Sequence, residues 1–186
     1  KYSQTFYDNM TRKDKPKVVP CKSKSYTLIR YIPDFKKFNL DGLTDTMIKI
    51  MEKRAYDISA CATHANVFFN DKKLVHKAFS KYMDLYMEDK EQPKVCEKLN
   101  DRWEIGVTLN DDQLFESISF VNGINTNKGG KHVDYIITQI TKKLAEYIDK
   151  KNKIKIKKSF IKDNIRLFIK CTIDNPSFNS QTKEFM

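Results

Sequence analysis

The sequence predicts one α+β domain, a mixed sheet of about four main strands with helices packed on one face. Three observations lead to this class. The chain has 186 residues, enough for one well-buried domain. Hydrophobic residues make up 40% of the chain and include 12 Phe and 9 Tyr, so a packed core can form. Short runs typical of strands also alternate with segments whose apolar residues recur at helical spacing.

The N-terminal part predicts strand and loop structure. Residues 1–9 alternate aromatic and polar side chains as a strand does, and residues 11–24 form a loop rich in Lys and Pro. Residues 26–32 are β-branched and aromatic, and Pro33 follows them, so a strand is expected there. We read the chain as a piece of a longer protein, with residues 1–25 as a strand and linker and residues 26–186 as the main domain.

A helix, a hairpin and a loop are expected next. Residues 41–60 carry apolar side chains along one helical face, with Asp41 or Thr44 as a possible cap. This face could contact a partner, but packing against the sheet is the commoner role. Asn70-Asp71 between apolar runs indicates a tight hairpin, and residues 79–87 an amphipathic segment. Residues 88–98 are highly charged, which is typical of a loop.

The C-terminal half predicts the main strands and a long helix. Residues 103–109 and 116–121 have strand character, and a short helix at 159–165 precedes a closing strand at 167–173. Gly129-Gly130 separates a strand from a long helix. Two roles remain open for these glycines: backbone N–H groups at a helix start can bind an anion, or glycine is needed only for the turn. The apolar face of the long helix consists of Val133, Ile136, Ile137, Ile140, Leu144 and Ile148.

The charge balance predicts an anionic partner. Lys and Arg number 35 against 24 Asp and Glu, a formal charge of +11 that favours nucleic acid as the partner. Residues 150–158 form the densest basic block, Lys-Lys-Asn-Lys-Ile-Lys-Ile-Lys-Lys. Such a block is usually a solvated surface unless an anion meets it.

Several functional classes have no support in the sequence. No apolar run is long enough for a membrane span, and no signal peptide is recognisable. The sequence has no P-loop, no G-x-G-x-x-G and no H-E-x-x-H motif. No metal site is expected either, because the cysteines and histidines lack the spacing of metal ligands. These residues are Cys21, Cys61, Cys96, Cys171, His64, His76 and His132.

The last stretch presents a candidate phosphate contact. Residues 178–184 follow the turn Asp174-Asn175-Pro176 and carry Gln181 and Lys183. A lysine at a loop tip can reach a phosphate, and a neighbouring glutamine can both donate to and accept from the same ligand. On residue types alone, however, a polar tail is the commoner interpretation of such a stretch.

Residues 178–184 and 119–135 together resemble the transducer domain of the type IIA DNA topoisomerases, in the eukaryotic and large-virus style. Further landmarks in the same order are Asn9-Met10, residues 54–58 and residues 100–104. The resemblance spans nearly the whole chain. It implies a fold like domain 2 of a ribosomal protein, with a left-handed βαβ crossover. It also implies an ATPase domain upstream of the linker at 1–25 and a transducer domain at 26–186.

The resemblance further implies a function and its residues. The domain would couple ATP binding and hydrolysis to DNA gate motion and double-strand passage. Lys183 would contact the γ-phosphate of ATP as a catalytic residue, with Gln181 beside it in the ATP site. Lys150, Lys151 and Lys153 would approach duplex DNA. ATP and Mg²⁺ would be bound mainly outside this chain, because the family's general-base glutamate, Asp-x-Gly-x-Gly segment and Gly-rich lid have no match here.

The resemblance also implies partners and a cellular location, and two alternative functions remain open. The partners implied are duplex DNA, the adjacent ATPase domain and a second copy in a homodimer, with the enzyme in the nucleus or at a viral replication site. The isolated chain is expected to be inactive. One alternative is a stand-alone basic nucleic-acid-binding module without ATP coupling. Another is a related ATPase of mismatch repair or a chaperone, but the Gln181-Thr182-Lys183-Glu184 motif is not matched in those.

Overall fold

The computed structural model describes residues 1–8, 10–75 and 78–186. It separates into two compact units, Lys1–Gly42 and Leu43–Met186. Two residues named above, Asn9 and His76, lie outside the described residues.

The described part of the first unit contains four two-residue strands. They are β1 (Tyr2–Ser3), β2 (Phe6–Tyr7), β3 (Arg12–Lys13) and β4 (Lys17–Val18), and β1 pairs with β4 while β2 pairs with β3, both antiparallel. A short 3-10 helix, Phe35–Phe38, begins where the Asp34 carboxylate accepts the Lys37 N–H.

The strand expected at residues 26–32 is not formed. This segment has no regular structure, and its apolar side chains are exposed, with Ile29 at 80% and Ile32 at 88%. A strand is maintained by hydrogen bonds to a neighbouring strand, and none of the described strands pairs with this segment. Propensity alone therefore does not produce the strand.

Helix α1 (Asp45–Cys61) opens the second unit. The Thr44 hydroxyl accepts the Met47 N–H at 3.3 Å, so Thr44 rather than Asp41 is the cap. The expectation that the apolar stripe of this helix packs on the sheet is wrong, because Ile50 and Met51 remain 62% and 43% exposed. Instead, the last turns of the helix are buried, through Asp57, Ser59 and Ala60.

The predicted hairpin and amphipathic segment are both present. Strands β5 (Phe68–Phe69) and β6 (Lys72–Lys73) pair antiparallel around Asn70 and Asp71, whose φ angles are +47° and +62°. Two consecutive positive φ angles are typical of the type I′ turn that suits a two-residue hairpin. Helix α2 (Phe79–Met83) follows, continues into a 3-10 turn at Asp84–Tyr86 and buries Tyr82 and Met83.

The main sheet is mixed, and the predicted α+β class is confirmed. Its strands are β7 (Lys94–Asn100), β8 (Trp103–Leu109), β9 (Glu116–Val121), β10 (Ile124–Asn125) and β11 (Ile165–Cys171). In space their order is β10-β9-β11-β8-β7, and only the β9–β11 pair is parallel. β8 and β9 have the predicted bounds, whereas β11 begins two residues before the expected start.

The loop expected at residues 88–98 is confirmed for residues 88–93, but strand β7 takes the place of its second part. It pairs with β8 along its length and forms one edge of the sheet. Glu97 and Lys98 of this strand face solvent, as is common for edge strands, in which charge prevents further pairing, whereas Lys94 is partly buried and pairs with Asp84. The charge density that suggested a loop therefore reflects the position of the strand at the edge.

A helical crossover joins the parallel strands. Helices α3 (Lys131–Asn152) and α4 (Lys158–Asp163) lie between β10 and β11 in the chain. A parallel pair requires such a connection, and both helices were expected from their periodicity. The left hand of this crossover stays a prediction.

Helices cover both faces of the sheet, so the expectation of helices on one face is wrong in this respect. Side chains alternate along a strand, so Leu167 and Ile169 of β11 point to one face and Phe168 to the other. The first face packs against α3 and α4, with Val133, Ile136, Ile137 and Ile161 in the cluster. The second face packs against α1 and α2, with Ala60, Phe79, Tyr82 and Met83 around Phe168.

No helix in the described part of the chain is long and apolar enough to span a membrane.

His132 is a buried histidine that makes stability depend on pH. It is 3% exposed, and burial lowers its pKa from 6.5 to about 4. An unfolded chain therefore binds a proton between pH 6.5 and about pH 4 that the folded chain does not. Titration of His132 therefore leaves the free energy of unfolding unchanged above pH 6.5 and lowers it as the pH falls from 6.5 to about 4. Urea unfolding of the chain at several pH values should show the fall.

A neutral variant isolates this contribution. His132→Gln should lose stability at pH 7 but show a shallower decline between pH 6.5 and pH 4 than the wild type. If the two declines run parallel, His132 is protonated in the folded state and the expectation is wrong.

Candidate functional site

The Gln181 loop, residues 180–183, is a tight turn on a fixed base. Asn179 N–H donates to Phe185 O at 3.2 Å, and Lys183 N–H donates to Ser180 O at 3.1 Å. Phe178 and Met186, on either side of the loop, pack against the core on the α3 face of the sheet. The tip is exposed at Gln181 while its base is held by the core.

Lys183 carries a charge with no anionic partner in the described chain. Its Nζ lies 5.8 Å from the centroid of the Phe178 ring, and no carboxylate of the described residues is within ion-pair distance. The neighbouring Glu184 is engaged elsewhere, because its Oε2 is 2.6 Å from Lys128 Nζ. That hydrogen bond also lowers the pKa of Glu184. Lys183 is thus available to a ligand from outside this chain.

Asn122 ties the end of β9 to the chain that leads into the Gln181 loop. Its Nδ2 donates to Ile173 O and its Oδ1 accepts from Ile173 N–H, both at 2.9 Å. Its own N–H donates to Cys171 O at 2.9 Å. The backbone at Asn122 has φ +52°, a conformation that asparagine tolerates better than most residues. The motif around Asn122 therefore has a structural role here.

The two glycines before α3 are accounted for by the turn. Gly129 and Gly130 have φ +75° and +142°, and a Cβ on Gly130 would overlap the carbonyl oxygen of Met186. Lys131 N–H at the helix start donates to Met186 O at 2.8 Å. Because protein already occupies this donor, the geometry favours the turn role over an anion site.

The predicted DNA-facing lysines lie together at the far end of α3. Lys150 and Lys151 are in its last turn, and Lys153 caps it with φ +55° and an N–H that donates to Asp149 O. All three are exposed, and no carboxylate of the described residues pairs with them. Lys151 Nζ reaches the Tyr147 hydroxyl at 3.2 Å. Positive charges at the C-terminal end of a helix also interact favourably with the helix dipole, so these lysines stabilise α3 as well.

The structure keeps the two predicted groups of residues apart. Gln181 and Lys183 lie beside the N-terminal end of α3, and Lys150, Lys151 and Lys153 lie at its C-terminal end. A helix of 22 residues is about 33 Å long. Any influence of one group on the other must therefore act over that distance.

A buried polar network at Asp57 was not assigned a role from the sequence. Asp57 is 2% exposed and accepts from the Tyr82 hydroxyl at 2.6 Å, with Lys53 Nζ at 3.0 Å. Asn125 Nδ2 lies 3.4 Å from Asp57, and Arg54 donates to Gly123 O at 3.1 Å. The landmark at residues 54–58 thus joins α1 to the β9–β10 turn. The sequence feature that could have identified this network is Asp57, a carboxylate on the buried side of α1.

In the described residues, no group of three or more His, Cys, Asp or Glu side chains could hold a metal ion.

Comparison with known proteins identifies close relatives. The sequence model of a family described as DNA gyrase B matches residues 65–186. DNA topoisomerase 2 of Acanthamoeba polyphaga mimivirus is 44% identical over 191 residues, and that of Arabidopsis thaliana is 41% identical over 194. These alignments cover 100% and 99% of this chain but only 15% and 13% of the relatives.

A solved structure gives the same result for the fold. The ATPase region of Saccharomyces cerevisiae topoisomerase II superimposes with a TM-score of 0.81 at 36% identity, over 99% of this chain and 48% of that one. The chain thus spans about half of that structure and a much smaller part of the curated relatives.

The Asn122 contacts predict a local effect on the backbone of Ile173. Asn122→Ala removes both hydrogen bonds, so we expect a loss of about 1–2 kcal/mol and faster amide exchange at Ile173. Asn122→Asp is the matched control, because it keeps the acceptor for Ile173 N–H and tolerates the positive φ. Equal exchange rates at Ile173 in the two variants would contradict the assignment.

Proposed function

Because the chain belongs to the DNA gyrase B family, as a transducer domain of the type IIA DNA topoisomerases, we propose that it couples ATP use to DNA gate motion. The parent would be an ATP-dependent isomerase that passes one duplex through another. One observation carries the proposal: no carboxylate of the described residues pairs with Lys183, which lies in a loop whose base is fixed to the core.

The chemistry of Lys183 and Gln181 fits a nucleotide phosphate. Negative charge spreads over the phosphoryl oxygens as the γ-phosphate is transferred, and a positioned cation stabilises that charge. Gln181 adds a donor and an acceptor for the same group. ATP and Mg²⁺ would be held mainly by the adjacent ATPase domain, with this chain supplying Lys183 as the catalytic residue and Gln181 beside it.

A tight loop whose base is fixed to the core suits the transmission of a signal to the sheet. Loss of the γ-phosphate would remove the contact with Lys183 and release the Gln181 loop. Because the loop is tied to β9 and β11 through Asn122 and the core, the sheet would move with it. This is a two-state element whose equilibrium a ligand shifts.

The lysines at the end of α3 supply the proposed DNA contact. Lys150, Lys151 and Lys153 are exposed, and no carboxylate in the part of the chain that the structure describes pairs with them, which leaves them able to bind phosphates. We propose duplex DNA, the adjacent ATPase domain and a second copy as partners, with residues 26–186 as the transducer and the nucleus or a viral replication site as the location. The isolated chain would be inactive.

The contact between Lys183 and the nucleotide can be tested by mutation. In the full-length parent, Lys183→Ala should lower the rate of ATP hydrolysis about 10-fold or more while nucleotide binding is largely kept, because the cation acts mainly in the transition state. Lys90→Ala, an exposed lysine in a loop of the same unit, is the control. An unchanged rate in Lys183→Ala would show that Lys183 is a surface residue.

The DNA contact can be tested by salt dependence. Replacing Lys150, Lys151 and Lys153 with Ala should reduce the slope of log K against log salt concentration for duplex binding by about 2.7, at 0.9 per phosphate contact. The control triple Lys72→Ala, Lys73→Ala and Lys90→Ala changes the net charge equally. Equal slopes for the two triples would place the DNA elsewhere.

The same variants separate the transducer from a stand-alone binding module, the alternative that the exposed lysines also support. A module would bind DNA fully as residues 1–186, and DNA would not change ATP hydrolysis by the parent. A transducer requires that duplex DNA alter the ATPase rate, and that the lysine triple abolish the change.

A further inference from the structure

The chain after the Gln181 loop is joined directly to the start of α3. Lys128 N–H donates to Glu184 O at 2.9 Å, Met186 N–H donates to Gly129 O at 3.2 Å, and Lys131 N–H donates to Met186 O at 2.8 Å. The Lys128–Glu184 ion pair, with Nζ and Oε2 at 2.6 Å, adds a side-chain link. We call these two segments, residues 128–131 and 184–186, the α3 junction.

Gly130 is the residue that allows this close approach. A Cβ at position 130 would overlap the carbonyl oxygen of Met186 and lie 2.8 Å from its nitrogen. The φ of +142° is also open almost only to glycine. Gly129 differs, because a Cβ there would meet only ordinary contacts at 3.8 Å and beyond. The two adjacent glycines thus have different roles, one in the turn and one in the contact.

Helix α3 connects the junction to the basic end of the domain. Its first turns are fixed to the sheet by Val133, Ile136 and Ile137, all 8% exposed or less. Beyond Leu144, which is 39% exposed, the helix becomes largely solvated and ends at the lysine group. Because the helix is continuous, a displacement of its N-terminal end together with the sheet would also displace Lys150, Lys151 and Lys153.

We infer that the α3 junction transmits movement of the Gln181 loop to α3, and so couples the proposed nucleotide contact to the proposed DNA contact. Gly130, Lys128 and Glu184 are positioning residues in this coupling and contact neither ligand. The inference rests on the proposed function, since it names the route between the two sites. Its measurable consequence is that an altered junction uncouples DNA from ATP hydrolysis while leaving each site intact.

Two sets of variants of the full-length parent test the inference. Gly130→Ala should reduce the stimulation of ATP hydrolysis by duplex DNA about fivefold or more, while hydrolysis without DNA and the affinity for DNA stay within about twofold. Gly129→Ala is the matched control, because it strains the same turn without meeting Met186, and it should retain the stimulation. If Gly130→Ala and Gly129→Ala behave alike, the junction is not the route.

The ion pair provides a second test that does not depend on Gly130→Ala folding. Lys128→Glu and Glu184→Lys each place like charges together and should reduce the DNA stimulation. The double variant restores an opposite pair and should recover it, a pattern that general loss of stability would not produce. Additive losses in the double variant would overturn the inference.

The proposed function and this inference fail in different ways. If Lys183→Ala leaves ATP hydrolysis unchanged, the nucleotide contact itself is wrong. If Lys183→Ala lowers the rate but every junction variant keeps full DNA stimulation, the nucleotide contact stands and only the route through α3 is wrong.

Discussion

The burial of β11 on both faces is the constraint on which the second unit depends. The strand lies between β8 and β9, and its alternating side chains enter two separate cores. Leu167, Phe168 and Ile169 are each 0% exposed, so neither set of helices can move from the sheet without exposing part of this strand. Because the same strand leads directly toward the Gln181 loop, the position of the loop is fixed by the best-packed part of the molecule.

The two faces of β11 differ in their use of charge. On the α1 and α2 side, Arg166 and Lys170 stand on either side of Phe168 and pair with Glu116 and Glu104 on the neighbouring strands. Each cation also donates to a backbone carbonyl, so the partly buried charges are satisfied. On the α3 side the strand is wholly apolar. Strand β11 itself therefore packs against α3 through apolar side chains, while a buried hydrogen-bonded group of Ser119, Thr126 and His132 lies on the same side at the start of α3.

Periodicity predicted the elements whose apolar and polar side chains follow a clear pattern, and it missed those whose structure depends on their neighbours in the sheet. Strands β8 and β9, the hairpin at Asn70-Asp71 and helix α3 follow directly from their patterns. Strand β7 was interpreted as a loop because an edge strand keeps its charges in solvent, and residues 26–32 were interpreted as a strand because propensity does not reveal whether a pairing partner is present. The exposed stripe of α1 has the same cause, since amphipathicity shows that a face is apolar but not what covers it.

The residue types of the candidate site could be predicted from the sequence, but the contacts that join its segments could not. Lysines in a loop and in a basic block can be identified from the sequence. The hydrogen bond from Lys128 to Glu184, however, joins residues 56 positions apart, and no local sequence pattern predicts it. That bond has two effects at once. It fastens the chain beyond the Gln181 loop to the start of α3, and it removes the carboxylate nearest in sequence to Lys183. The contact that joins the chain beyond the loop to α3 thus also engages the carboxylate next to Lys183 in sequence.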